Sequence, residues 1–439
     1  MAEYIELDKA ARNREKVARK RWWQLGGCVV MMLAIANIQY AWTLFSVPLT
    51  KGLHAKLSAI QLTFTIFVLL ETWLVPFEGW LMDKFGPRLL ATLGGILVGL
   101  GWIGSGMAGS VGALYFWYGL GGVGAGSVYG TCMGLALKWF PDHRGLAAGL
   151  TAGSFGFGTA LTVIPIQRMI ASSGYAHAFI FWGIIQGLVI LVIAQFVKSP
   201  PGGWKPAGWV PTPTIQRAQA TVSYTPREMA RSGVFYLMYF MMALVAFGGL
   251  LVTAQLKPIA VSYHHDKTVL LLGISALSLA LILDRLLNGF TRPFWGWISD
   301  HIGRYNTMGI AFILEGLAKI TLILFISNPV GFVLVTGLTF FAWGEIFSLF
   351  PAAIGDIFGP RHATTNYGIQ YTAKGFAAIF AGWGAAKLLE LTGSWLPVFY
   401  ASMACDLLAG ILALAVLKPL VSRRMGRVAQ ESRDMVATG

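Results

Sequence analysis

The chain has 439 residues, 56% of them hydrophobic and only 12% charged. A water-soluble domain carries about 25% charged residues, so the composition excludes that class and points to an integral membrane protein. The net charge of +14 does not call for a nucleic-acid partner, because the basic residues gather at helix ends and tails, as the positive-inside rule requires.

A charged tail, residues 1–21, leads into an apolar segment too long for the core of a signal peptide. Apolar runs of helix length follow at 22–48, 58–82, 88–109, 111–138, 145–172 and 175–198. They resume at 232–262, 267–299, 305–326, 329–355, 363–389 and 394–418. The expected fold is all-α, with twelve transmembrane helices in two halves, 22–198 and 232–418. Residues 199–231 are rich in Pro and Gly and read as a linker, and 419–439 form a second tail. Cys28, Cys132 and Cys405 lie in apolar runs and read as packing residues rather than disulfides or metal ligands. Lys and Arg concentrate in alternate connections: the N-terminal tail, Lys84 and Arg88, Lys138 and Arg144, Lys205 to Arg231, Arg304, Arg361 and the tail after Lys418. That pattern places both termini and the linker on the cytoplasmic side of a cell (inner) membrane.

The halves repeat. GWLMDKFGPR at Gly79–Arg88 matches GWISDHIGR at Gly296–Arg304, and Asp83 falls 217 positions before Asp300. FPDHRG at Phe140–Gly145 parallels FGPRH at Phe358–His362, and Arg144 precedes Arg361 by the same interval. Two unrelated motifs at one offset indicate internal duplication, as in carriers built from parallel halves. The motif G-x-L-x-D-x-x-G-x-R resembles the signature of the major facilitator superfamily, in full in the first copy. In the second, Ile298 replaces Leu and the Arg comes one place early. The resemblance implies two pseudo-symmetric six-helix bundles around one central site, with Asp83, Arg88, Asp300 and Arg304 as cytoplasmic latches between helices.

Charges inside the apolar runs stand out, since each costs roughly 2.5–3.5 kcal/mol at the centre of a membrane helix and usually marks a substrate or ion path. Counting back from Asp300 at about 1.5 Å per residue sets Arg292 roughly 12 Å inside the membrane. Lys374 lies roughly 20 Å from the cytoplasmic end by the same rise. The repeat supplies a control, because the equivalent positions in the first half are Val75 and Phe157. The scaffold therefore does not need these cations, and two fixed cations match a compact dianion. Gln39, Tyr40, Tyr129, Trp343 and Tyr371 lie at comparable depths, where aromatic residues are commonly packing residues but can also complete a carboxylate's hydrogen bonds.

The stretches NIQYAWTLFSVP, GSVYGTCMGLALKWFPDHRG, LNGFTRPFWGWISDHIGRYNTM, FFAWGEIFSLFP and NYGIQYTAKG resemble the oxalate/formate antiporter family. The resemblance implies that Arg292 and Lys374 bind the carboxylates of oxalate. It also implies that Gln39, Tyr40, Tyr129, Trp343 and Tyr371 form a cage, with exchange for formate by alternating access. Two departures are visible: Phe347 stands where a tyrosine is expected, and the pair Asp284-Arg285 is additional.

Glu71, Asp284 and Glu345 balance Arg285, Arg292 and Lys374 in a tally of these mid-membrane positions. The balance fits a self-neutralising structural network. It also fits proton coupling through Asp284 or Glu71, as in related monocarboxylate carriers, and hence a proton-coupled mono- or dicarboxylate symporter. A non-transporting anion receptor on the same fold is a third reading. Gly119 to Gly124 matches G-x-G-x-x-G but lies in an apolar span with no preceding strand, so it reads as helix packing. His264-His265 is a weak metal pair. Nothing indicates an enzyme, a metal or a cofactor; the expected partners are small organic carboxylates and the bilayer, and the expected state is a monomer.

Overall fold

The computed structural model describes residues 2–201, 204–206, 223–359 and 362–423, with side chains from Lys20 onward except those of Asp83, Arg144 and Thr364. The centre of the expected linker, Arg361, the end of the second tail and the side chains of the first tail lie outside the described residues. The chain divides into two compact units, Met1–Ala218 and Gln219–Gly439.

In the first unit, α1 (Ala2–Tyr40) and α2 (Trp42–Gly52) form one rod interrupted at Ala41. Helices α3 (Leu57–Trp73) and α4 (Val75–Phe85) form a second, bent by 43° at Leu74. Helices α5 (Pro87–Gly106) and α6 (Val111–Trp139) are continuous. Helix α7 (Arg144–Phe157) runs through a tight turn at Gly158–Leu161 into α8 (Val163–Ala194). Gly174 breaks α8 with φ 83°, a conformation that glycine adopts without strain. The break falls where the sequence separates its runs 145–172 and 175–198.

The second unit opens with α9 (Pro226–Met229), whose N-terminus is closed by a Thr225–Glu228 capping box, then α10 (Gly233–Ser262). A hairpin of β1 (Val269–Leu271) and β2 (Ile274–Ser275) leads to α11 (Ala276–Ile302). After α12 (Arg304–Phe325), helices α13 (Pro329–Trp343) and α14 (Ile346–Phe358) form another broken rod. Helix α15 (Ala363–Ile379) continues through a wide turn at Phe380–Gly384 into α16 (Ala385–Thr392), and α17 (Leu396–Ile411) follows. The hairpin corrects the expected span 267–299, which starts at Ala276 instead. The apolar run 269–272 pairs across a turn at Gly273, φ 75°, and leaves Leu272 89% exposed.

Among the described residues, eight helical stretches are long and apolar enough to cross a membrane, nine with the bent α3–α4 pair. The break at Gly174 makes two spans of the longest stretch. The rods that fall short are α11 and α15–α16, which carry Asp284, Arg285 and Arg292, and Lys374. Six rods in each unit result. Large apolar side chains such as Phe196 and Leu324 face outward, 69% and 72% exposed, as lipid-facing surfaces do.

Small residues let the helices close up in the first unit. A Cβ on Gly101 of α5 would lie 2.5 Å from Gly121 Cα of α6, and one on Gly124 would lie 2.6 Å from the Gly94 carbonyl oxygen. The G-x-G-x-x-G stretch is thus a helix contact. The unit's end is tied by Asp142, which accepts a hydrogen bond from Arg21 Nη1 at 2.7 Å and lies 2.9 Å from His143 Nδ1. Partial burial pushes the Asp142 carboxyl up, but its bonds to Arg21 and His143 outweigh that and hold it below the usual carboxylate range.

Two outcomes follow. Gly101→Ala should destabilise the detergent-solubilised protein by about 1–3 kcal/mol through overpacking, read as a lowered thermal midpoint. Gly130→Ala, which meets nothing within 4 Å, should not. Asp142→Asn should cost about 1 kcal/mol at neutral pH. Because the folded carboxyl titrates below its unfolded value of ~3.9, wild type should lose that advantage as pH falls through the folded pKa. Unfolding midpoints of both proteins across acid pH check this.

Candidate functional site

The helical spacing of α11 puts Asp284, Arg285, Asn288 and Arg292 on one side, and all four are buried. The Arg292 guanidinium carbon sits 4.5 Å from the centroid of the Phe347 ring, and Lys374 Nζ sits 5.8 Å from that same centroid. Lys374 Nζ also donates to Tyr371 Oη at 3.1 Å. Trp343 meets Phe347 edge-on at 5.2 Å, and Tyr371 lies 6.1 Å from it. The structure therefore gathers Arg292, Lys374, Trp343 and Tyr371 around one ring. Phe347, which the sequence presents as a lost hydrogen-bond donor, is the face the two cations share. Such contacts contribute about 0.5–2 kcal/mol, more when desolvated.

A second cation extends the row. The Arg285 guanidinium lies 4.0 Å over Phe340, which meets Trp343 edge-on at 5.6 Å. Arg285 is the charge acting on Asp284, and Thr336 of α13 lies beside that carboxylate. Trp343 is seated by Gly249 of α10, where a Cβ would come within 2.0 Å of the indole. Its Nε1 is buried with no hydrogen-bond partner among the described residues. Asn288, absent from the sequence reading, has a buried amide in the same condition; its place between Arg285 and Arg292 on the helical repeat was the available signal.

In the first unit, Tyr40 and Tyr129 both pack on Phe155, at 5.2 and 5.4 Å. Tyr40 and the buried Gln39 lie at the interruption of the α1–α2 rod. Glu71 and Glu78 flank the bend at Leu74, both buried, and Ser127 Oγ donates to Glu78 Oε1 at 2.9 Å. Glu78, which the tally of charges leaves out, is a second acid beside Glu71.

Glu345 belongs to a different group from the one its depth suggests. Lys319 Nζ donates to Glu315 Oε1 at 3.2 Å and lies 3.8 Å from Asp406 Oδ2, with all three side chains fully buried. Glu345 is within electrostatic reach of these three. The sequence reading misses Glu315, Lys319 and Asp406, although each is a charge inside an apolar run.

At the end of α11, Arg304 Nη1 donates to Asp300 Oδ1 at 2.7 Å and Arg304 Nε to Asp356 Oδ2 at 3.3 Å, so α14 is tied to the second motif. Arg88 is exposed, and the Asp83 side chain lies outside the described residues. His265 is buried, its ring Nε2 2.5 Å from the Ile326 carbonyl oxygen.

The Major Facilitator Superfamily model matches residues 27–290 and 277–434. The chain belongs to that superfamily. It is 36% identical over 413 residues to the oxalate:formate antiporter of Oxalobacter formigenes, covering 93% of each chain, and it belongs to that protein's family. It is 27% identical over 419 residues to a probable sulfoacetate transporter of Cupriavidus necator, covering 90% of this chain and 94% of the relative. Human monocarboxylate transporter 14 is 29% identical over 156 residues, 35% of this chain and 29% of the relative. Membership in the superfamily makes this a multi-pass membrane transporter and not an enzyme.

Phe347→Leu should lower the thermal midpoint of the protein, since it removes the ring shared by two buried cations at about 0.5–2 kcal/mol each. Phe347→Tyr keeps the ring face and should lower it less. Equal losses in both variants would refute the shared-platform account.

Proposed function

We propose that this protein exchanges small carboxylates across a cytoplasmic membrane by alternating access, oxalate for formate or a close pair of organic anions. The observation that carries the reading is the pair of buried cations, Arg292 and Lys374, set against one ring. A dianion offers a carboxylate to each of the two cations, which is the charge pattern of oxalate. The donors at Trp343 Nε1 and Tyr371 Oη complete the anion's hydrogen bonds. Gln39, Tyr40 and Tyr129 are assigned to substrate binding on the family resemblance. The name of the Oxalobacter relative supports oxalate and formate, and the sulfoacetate and monocarboxylate relatives support the broader class of carboxylates.

The latch role goes to Asp83, Arg88, Asp300 and Arg304, of which Arg304 bridges two rods of its unit. Both termini are assigned to the cytoplasmic side, and the carrier is read as a monomer. A proton-coupled symport is the second reading, and the buried carboxylates Glu71, Glu78 and Asp284 favour it.

In liposomes loaded with formate, labelled oxalate should enter; empty vesicles should take up far less. Arg292→Ala and Lys374→Ala should each reduce that exchange by about two orders of magnitude, the scale for truncating one partner of a buried charge contact, with unchanged insertion. Full exchange in either variant refutes the receptor assignment.

A further inference from the structure

The Glu315, Lys319, Asp406 and Glu345 cluster plays no part in the anion site, yet it is built with unusual care. Helix α12 contributes Glu315 and Lys319 one turn apart, α17 contributes Asp406, and Glu345 precedes α14. All four are fully buried. Helix α10 contributes no charge there, only Gly248, where a Cβ would lie 2.4 Å from Glu315 Oε1 and 3.0 Å from Asp406 Oδ1. Beside Asp406 sits Cys405. Among the described residues, the charged groups acting on Glu345 are Glu315, Asp406 and Lys319.

Three carboxyl groups thus face one ammonium. Lys319 can neutralise a single carboxylate; a second and third ionised carboxylate in this dry setting would be uncompensated buried charge, which costs several kcal/mol each. Apart from its own backbone N–H, the Glu345 carboxyl has no hydrogen-bond partner among the described residues.

We propose that Glu315, Lys319, Asp406 and Glu345 form a proton-binding site, with Glu345 as the carboxyl that takes up and releases the proton. The proton adds to a Glu345 carboxylate oxygen from water on one side and returns to water on the other; no other bond changes.

The same segment links the proton site to the cations. Trp343, Gly344 and Glu345 form the break between α13 and α14. Trp343 and Phe347 belong to the Arg292 and Lys374 group, while Glu345 belongs to the acidic cluster. On α10 the adjacent glycines Gly248 and Gly249 back onto the two groups separately, one against Glu315 and Asp406 and the other against Trp343. A change of charge at Glu345 therefore acts on the break that positions Trp343 and Phe347, and the proton and the anion are coupled through it. The coupling role rests on the proton-coupled form of the carboxylate-transport reading; the proton site itself does not.

Infrared titration of the protein in liposomes without substrate tests the site. Wild type should show a protonated-carboxyl C=O band at neutral pH that Glu345→Gln and Asp406→Asn each diminish. A band of equal intensity in wild type and both variants, or no band in wild type, overturns the proton site. Transport tests the coupling separately, as the ratio of pH-gradient-driven oxalate uptake into empty vesicles to oxalate–formate exchange. Glu345→Gln should lower that ratio by about tenfold, a typical coupling factor. An unchanged ratio, or wild type that exchanges carboxylates with no pH-driven uptake, overturns the coupling. Wild type that moves no carboxylate in either mode refutes the function and its coupling, while the infrared result still decides the proton site.

Discussion

The structure depends on the cost of holding ionised side chains away from water. A lone buried charge is penalised by several kcal/mol, and only partners or ring faces recover it. In the second unit the penalty is met in two ways. Arg285 and Arg292 lie on phenylalanine faces, and Lys374 shares the second of them. Lys319 is instead set among carboxyl groups. A ring face attracts a cation through its quadrupole, whereas a carboxylate partner cancels the charge outright, and both kinds of contact occur within one unit.

The helix interruptions follow from the same constraint. Backbone groups freed by a break at membrane depth must be satisfied by protein or by water in a cavity, so breaks survive away from lipid. In this chain they sit beside buried polar and aromatic residues. Tyr40 ends α1, Glu71 and Glu78 flank the bend at Leu74, and Trp343 and Glu345 flank Gly344. A straight helix would point residues 343 and 345 about 200° apart. The two-residue gap keeps that divergence while letting the two half-helices adjust independently.

Much of this was legible in the sequence. Apolar runs and the 217-residue offset outlined six rods per half, and the mismatch between halves at Val75 and Phe157 singled out Arg292 and Lys374. What escaped was lateral placement. Depth along a helix follows from counting, but the neighbour it faces does not, so Glu345 was grouped with Arg292 when it faces Lys319. Glu315, Lys319 and Asp406 escaped because they lie in separate apolar runs, and only the packing of α12 against α17 brings them together. The hairpin at 269–275 escaped because a short apolar run has the same composition as the start of a span; the positive φ of Leu272 and Gly273 tells them apart.

Phe347 shows why a family pattern is best read through physics rather than residue identity. Replacing tyrosine by phenylalanine removes one hydroxyl donor and leaves the quadrupole of the ring intact. Where both cations already lie over the face, the face is what positions them. The same ring meets Trp343 edge-on at 5.2 Å, so the face organises its aromatic neighbour together with the two cations.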